Sequence, residues 1–189
     1  MSRTTISLGL LVLLGCCLAG CAANTTSYVR DDVDFSYIRR VAVYPFVNRS
    51  QDPQAAPRVY SIFQAELLQH DALRTIDLGE TLGGLQALRL DPAAVLAPEQ
   101  IVALGKQLGV DGIFFGDVDD YGLERASGDR VYSVTFTFSL AETETGSVVW
   151  QSTVHDDGTS LWRKLFGGGT ASLHDVSRSA IADALETLF

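Results

Sequence analysis

Val131-Tyr132-Ser133-Val134-Thr135-Phe136-Thr137-Phe138-Ser139-Leu140 decides the fold. Tyr132, Val134, Phe136, Phe138 and Leu140 alternate with Val131, Ser133, Thr135, Thr137 and Ser139, so one side is apolar and the other can be wetted. A period of two is strand geometry, and this alternation is that of a half-buried antiparallel strand. Glu144-Thr145-Gly146 supplies a turn and Val148 to Val154 a second strand, which predicts a hairpin. The apolar side of that hairpin needs a cover. Ser172 to Phe189 provides one: Leu173, Val176, Ala180, Ile181, Ala184, Leu185 and Leu188 form a stripe at helical spacing, and Ser172 and Asp175 have capping-box spacing.

Upstream, Arg39 to Asn48 reads as a central strand that becomes irregular or ends near Pro45, which cannot donate a ladder hydrogen bond. Pro57 opens a helix with Val59, Ile62, Phe63 and Leu67 on one side, and Leu73 to Leu78 is a short second strand. Gly79 to Leu90 is weakly helical and interrupted by Gly83-Gly84. Pro98 starts a better helix, with Ile101, Leu104 and Leu108 inward and Gly109 at its end, and Val110 to Val118 is a third strand. The order β-α-β-α-α-β-β-β-α is that of an α+β domain: a mixed sheet of about five strands with helices packed on it in two or three layers, the C-terminal helix over the hairpin.

The amino-terminal segment stands apart. Ile6 to Leu14 is apolar but short for a bilayer of roughly 30 Å hydrocarbon thickness, and it follows Arg3 and precedes Leu18-Ala19-Gly20-Cys21. This pattern resembles the lipobox family of lipoprotein signal sequences. The resemblance implies cleavage between Gly20 and Cys21, a diacylglycerol on the Cys21 thiol and acylation of the new amino terminus. Several acyl chains, at about 0.8 kcal/mol per buried methylene, make such an anchor effectively permanent. Ala22 follows the cysteine where an aspartate would favour inner-membrane retention, so the resemblance implies the outer membrane, facing the periplasm. The expected organisation is a cleaved signal over residues 1–20, a lipidated cysteine and flexible tether over 21–36 (Asn24 to Asp34 is polar and aperiodic), and one periplasmic domain over 37–189.

Removing residues 1–20 takes away Arg3 as the sole charged residue, so the formal net charge goes from −9 to −10. A chain this acidic has no basic stripe for nucleic acid or for anionic lipid heads. Cys16 and Cys17 leave with the signal and Cys21 is consumed by lipid, so no thiol remains for a disulfide, a metal site or a nucleophile.

Three stretches together resemble the bacterial envelope lipoproteins of the curli-channel, penicillin-binding-protein-activator and TolB-amino-terminal-domain group: Val41 to Asn48, Leu104 to Val118, and Glu144-Thr145-Gly146-Ser147-Val148-Val149-Trp150. The resemblance implies a non-enzymatic module that binds another envelope protein, as adaptor or regulator in envelope assembly, with no cofactor beyond the lipid. A subunit of an oligomeric secretion assembly is the alternative. A ring-shaped pore would need spare membrane hairpins of about 9 to 11 residues per strand, and the single strongly alternating hairpin is already used in the sheet.

Other sites carry less. His70, His155 and His174 belong to separate elements without zinc-ligand spacing, and His155-Asp156-Asp157 reads as a solvated acidic loop. Asp117, Asp119 and Asp120, the one carboxylate group that would suit a hydrolase, read as charges that keep a strand edge soluble before a turn over Gly122 to Asp129. Gly167-Gly168-Gly169 lacks the Lys-Ser/Thr of a phosphate loop, and no Gly-x-Ser-x-Gly elbow occurs. Leu161-Trp162-Arg163-Lys164-Leu165-Phe166 combines aromatics and cations in an acidic chain, which makes Trp162, Arg163, Lys164 and Phe166 the partner-binding candidates, with Arg39-Arg40 a possible extension of that surface. Burial under the last helix and contact with lipid heads are the other readings of the segment.

Overall fold

A computed structural model describes residues 24–30, 35–70, 72–126, 129–158 and 171–189. In chain order the elements are β1 (Asn24–Val29), β2 (Arg40–Val43), β3 (Val47–Asn48), α1 (Ala55–Leu67), β4 (Arg74–Thr75), α2 (Leu78–Ala87), α3 (Pro98–Leu108), β5 (Gly112–Ala126), β6 (Asp129–Glu142), β7 (Val148–Asp156) and α4 (Leu173–Leu185). The strands form one mixed sheet of seven, ordered β1-β7-β6-β5-β2-β4, with β3 also on β5. β5, β6, β7 and β1 pair antiparallel, whereas β2 lies parallel to both β4 and β5.

From Val134 onward the alternating segment behaves as its pattern requires: Val134, Phe136, Phe138 and Leu140 are buried, while Thr135, Thr137 and Ser139 on the other face stay half-exposed; at its start the pattern breaks, with Tyr132 half-exposed and Ser133 buried. The buried face meets α1 and α4. Phe63 of α1 sits 4.7 Å from Phe138 and 5.4 Å from Phe114 between ring centroids, and Trp150 meets Phe114 edge-on at 6.1 Å. Ile181 and Leu185 complete this core. Each such side chain, fully buried, contributes about 1.5–3 kcal/mol. On the opposite face, Ala42, Tyr44 and Ile113 pack against Leu85 of α2 and Leu104 and Leu108 of α3. The domain therefore has three layers around β2 and β5 and two around β6, β7 and β1.

Local signals held in several places. α4 is capped reciprocally: Ser172 Oγ accepts from the Asp175 N–H at 3.2 Å, and the Asp175 carboxylate accepts from the Ser172 N–H at 3.1 Å. Gly109 ends α3 in the left-handed conformation, φ 63°. The strand stops at Val43, before Pro45, and resumes at Val47.

Others did not. Asn24–Val29, read as part of a tether, is an edge strand in register with β7 from Asn24↔His155 to Val29↔Trp150. Its Thr, Ser, Tyr and Val have ordinary strand propensity, and an edge strand lying over solvent needs no apolar alternation to pair. α1 begins two residues before Pro57, which its first turn tolerates because the missing N–H would be unpaired there in any case. Gly83-Gly84 does not interrupt α2: a Cβ on Gly84 would stand 2.5 Å from Leu108 Cδ2, so the glycine is where two helices touch. The turn expected over Gly122 to Asp129 is mostly strand, because β5 continues against β6 to Ala126.

Candidate functional site

The sequence-derived candidates Gly20, Cys21, Trp162, Arg163, Lys164 and Phe166 lie outside the described residues. The two ends that flank the last four, Gly158 and Ala171, lie close together beside Tyr132. Tyr132 belongs to the stretch of β6 that pairs with Leu123, whereas Arg40 starts β2 beside Asp111, at the other end of the sheet. Arg39 and Arg40 thus belong to a different end of the molecule from the points where that segment leaves and returns.

The carboxylates of β5 are tied into structure. Asp117 Oδ1 accepts from Arg49 Nε at 2.9 Å and Nη2 at 2.7 Å, and Arg49 also approaches Asp119 at 3.7 Å. Arg49 is placed by its own backbone, which donates to Val118 O at 2.8 Å in continuation of β3. Beyond Val118 the register with β6 shifts and β5 has no second strand neighbour among the described residues. There the Asp120 carboxyl, hydrogen-bonded beside it, holds Glu124 above the usual carboxylate range. This group lies on an open ribbon, with Glu124 and Asp119 exposed, and it keeps an edge wet. The histidines are likewise scattered: His155 Nδ1 meets Thr135 Oγ1 at 3.0 Å, His70 stacks on Phe189 at 4.1 Å, and His174 is exposed on α4.

What the sequence reading missed is a cleft of about 750 Å³ at the end of the sheet where β2 and β4 begin. Its apolar walls include Phe35, Ile38 and Leu73 on one side and Leu188 and Phe189 after α4 on the other. Arg39, Arg40 and Arg74 also line it. Their backbones are fixed: Asp111 Oδ2 accepts from the N–H groups of Arg39 at 3.0 Å and Arg40 at 2.8 Å, and Arg74 N–H donates to Arg39 O at 2.7 Å. Arg40 Nη2 is engaged by Glu80 Oε1 at 2.8 Å. Arg39 donates its Nε to Ser36 O at 3.3 Å, and neither its guanidinium nor that of Arg74 meets a carboxylate among the described residues.

Several hydrogen bonds hold the far wall, among them Leu188 N–H and Phe189 N–H to Leu185 O at 2.9 and 3.4 Å. Trp150 Nε1, in the core, donates to Thr187 Oγ1 at 3.0 Å, and Thr187 Oγ1 donates on to Ala184 O at 2.7 Å, which seats Leu188 and Phe189. Arg39 and Arg40 were visible as a basic pair, but the contribution of Arg74 and the chain's last two residues depends on tertiary folding.

The geometry is that of a binding module, a rigid sheet with a shaped apolar recess and a cationic rim. Comparison with known proteins agrees on the fold. The structure of the PelC dodecamer from Paraburkholderia phytofirmans superposes with a TM-score of 0.58 at 18% identity, covering 88% of this chain and 96% of that one. A lipoprotein from Neisseria meningitidis gives 0.56 at 17% identity, covering 79% and 99%. The LpoB C-terminal domain from Salmonella enterica gives 0.50 at 14%, covering 67% and 86%. No curated protein sequence matches the chain. The family model of the peptidoglycan-synthase activator LpoB matches residues 28–155, from within β1 to within β7 and so across the whole sheet. Of the three branches that the sequence resembles, it is the activator branch that this match supports, and the chain belongs to the family of the peptidoglycan-synthase activator LpoB.

Proposed function

We propose that this protein is a lipid-anchored regulator that binds a peptidoglycan synthase from the outer membrane and stimulates it, without catalysing a reaction itself. The family match over residues 28–155 carries the reading, since the matched span is the sheet and the layers packed on it. The anchor is Cys21, three residues before β1, with the domain in the periplasm. Trp162, Arg163, Lys164 and Phe166 are partner contacts in this reading. No helix among the described residues is long and apolar enough to cross a membrane.

The test is reconstitution. The full lipoprotein in detergent is mixed with the penicillin-binding synthases of its own envelope, and glycan polymerisation from lipid-linked precursor is followed with and without it. Specific binding and a several-fold rise in rate are expected; no binding and an unchanged rate with every synthase would overturn the reading. Replacing Cys21 by Ser should move the protein from the membrane to the soluble fraction, and continued retention would remove the anchor.

A second reading rests on the PelC structure, a dodecamer whose protomer shares this fold over 96% of its length. In that reading the chain is a subunit of a homo-oligomeric ring. A native mass of many protomers after mild extraction would favour it, and a monomer would exclude it.

A further inference from the structure

We propose that the cleft at the start of β2 and β4 is a receptor for an acidic segment of a partner protein, in which carboxylates flank a large apolar side chain. The proposal deepens the binding role put forward above and rests on it.

The chemistry of the cleft selects such a ligand. The volume of about 750 Å³ suits two or three large side chains, and Phe35, Leu73 and Phe189 offer them an apolar seat. Phe189 is 51% exposed although it stacks on His70, so an aromatic surface stands ready in the wall. The rim is set against the charge of the chain as a whole. In a protein with 14 basic and 23 acidic residues, Arg39, Arg40 and Arg74 all line one recess; the Arg40 guanidinium is engaged by Glu80, and the guanidinium groups of Arg39 and Arg74 meet no carboxylate among the described residues. A guanidinium pairs with a carboxylate through two parallel hydrogen bonds, and it does so most strongly where apolar walls keep water out. An ammonium-rich or neutral segment would leave these arginines unpaired on desolvation.

The position of the cleft favours a protein segment over a lipid. β1 enters the sheet at Asn24 beside His155, three residues after Cys21, and runs toward Trp150. The cleft lies beyond that end, near Leu140 and Arg40, with the whole length of β1, about 17 Å, between it and the point where the chain enters from its lipid. An anchored domain therefore presents the recess away from its own membrane.

The experiment places p-benzoylphenylalanine at Ala72, an exposed residue of the cleft wall, in the full lipoprotein in its own envelope. After irradiation the attached peptide is mapped by mass spectrometry. The expected result is a single partner segment of net negative charge bearing at least one large apolar side chain. Arg39→Glu with Arg74→Glu should lower the cross-link yield at least about tenfold, the effect of losing one charge-assisted pair, while the circular dichroism melt is unchanged. Arg39→Gln with Arg74→Gln provides the milder pair should charge reversal impair folding. A neutral or basic segment, a lipid adduct, a second copy of this chain, no adduct at all, or a yield indifferent to both pairs of substitutions would each overturn the proposal.

Asp31, Asp32 and Asp34 precede Phe35 in the chain, and their substitution tests for an internal competitor. If the arginine variants destabilise the isolated protein and Asp→Asn at 31, 32 and 34 does the same, the cleft serves its own chain and the proposal falls. The regulator reading is judged separately: loss of the Ala72 adduct with synthase stimulation intact sinks the cleft alone, and an acidic adduct from a protein other than a synthase sinks the synthase assignment alone.

Discussion

Replacing Trp150 by Phe should cost stability in two separable parts. The indole is fully buried, meets Phe114 edge-on at 6.1 Å, and donates from Nε1 to Thr187 Oγ1 at 3.0 Å. Exchanging indole for phenyl removes roughly three heavy atoms from a close-packed site, a loss of about 1–2 kcal/mol including the residual void. The hydrogen bond adds about 1 kcal/mol. The sum, about 2–3 kcal/mol, corresponds to a fall in Tm of roughly 4–12 °C for a domain of this size. Urea unfolding of Trp150→Phe, Thr187→Val and the double variant separates the parts. Thr187→Val alone leaves a buried indole N–H without a partner and should cost about 1–3 kcal/mol, while the double variant should be less destabilised than the sum of the singles by about 1 kcal/mol. Strict additivity would show that the bond contributes nothing and would refute this account of how the end of α4 is held. A companion readout is amide exchange at Leu188 and Phe189, which should accelerate in both single variants before the sheet is affected.

Gly105→Ala should destabilise by about 1–3 kcal/mol, because a Cβ there would lie 2.2 Å from Thr143 Cβ and force α3 off the sheet end; an unchanged urea midpoint would contradict that contact. Ser152→Ala should raise stability by about 1 kcal/mol, since its buried Oγ has no hydrogen-bond partner among the described residues, and a loss in calorimetry would reveal one. Burial pushes the Tyr60 phenol up to about 12, with Asp77 adding to it. A folded pKa above the unfolded value near 10 means stability is full below pH 10 and declines by about 2–3 kcal/mol toward pH 12, a decline that Tyr60→Phe should abolish in alkaline melts. Burial, with Glu186 and Asp156 nearby, raises Asp183, so its ionised form opposes folding at neutral pH. Asp183→Asn should therefore raise Tm at pH 7, and the gain should shrink as acid protonates the wild-type carboxyl in both states; an equal gain at pH 3 would assign it to something other than charge.

How much could be read from the chain depended on how local the physics was. Phe136 and Phe138 announce their strand because a half-buried face writes itself as period two, and Ser172 with Asp175 announces α4 because a capping box is complete within four residues. Asn24–Val29 does not announce itself, since a polar strand at a sheet edge has the composition of a tether; only the presence of β7 beside it gives its backbone a partner. Gly84 reads as a helix breaker on propensity, and its reason, Leu108 across the helix interface, is 24 residues away. The cleft is the extreme case: Arg39, Arg74 and Phe189 are drawn from three parts of the chain, and no window of sequence contains them together. Arg49, which neutralises Asp117, escaped for the same reason.

The way β1 enters the sheet also sets how the domain bears load. Six consecutive residues of β1 are in register with β7, and the chain comes to the first of them from the side of Cys21. In the arrangement proposed above, a pull between an acyl anchor on Cys21 and a partner at the far end of the sheet would run along the strand axis. The ladder then resists as a lap joint does, all its bonds strained at once, instead of opening one after another like a zipper. If the proposed anchoring holds, that strand is a fastening loaded in its strongest direction.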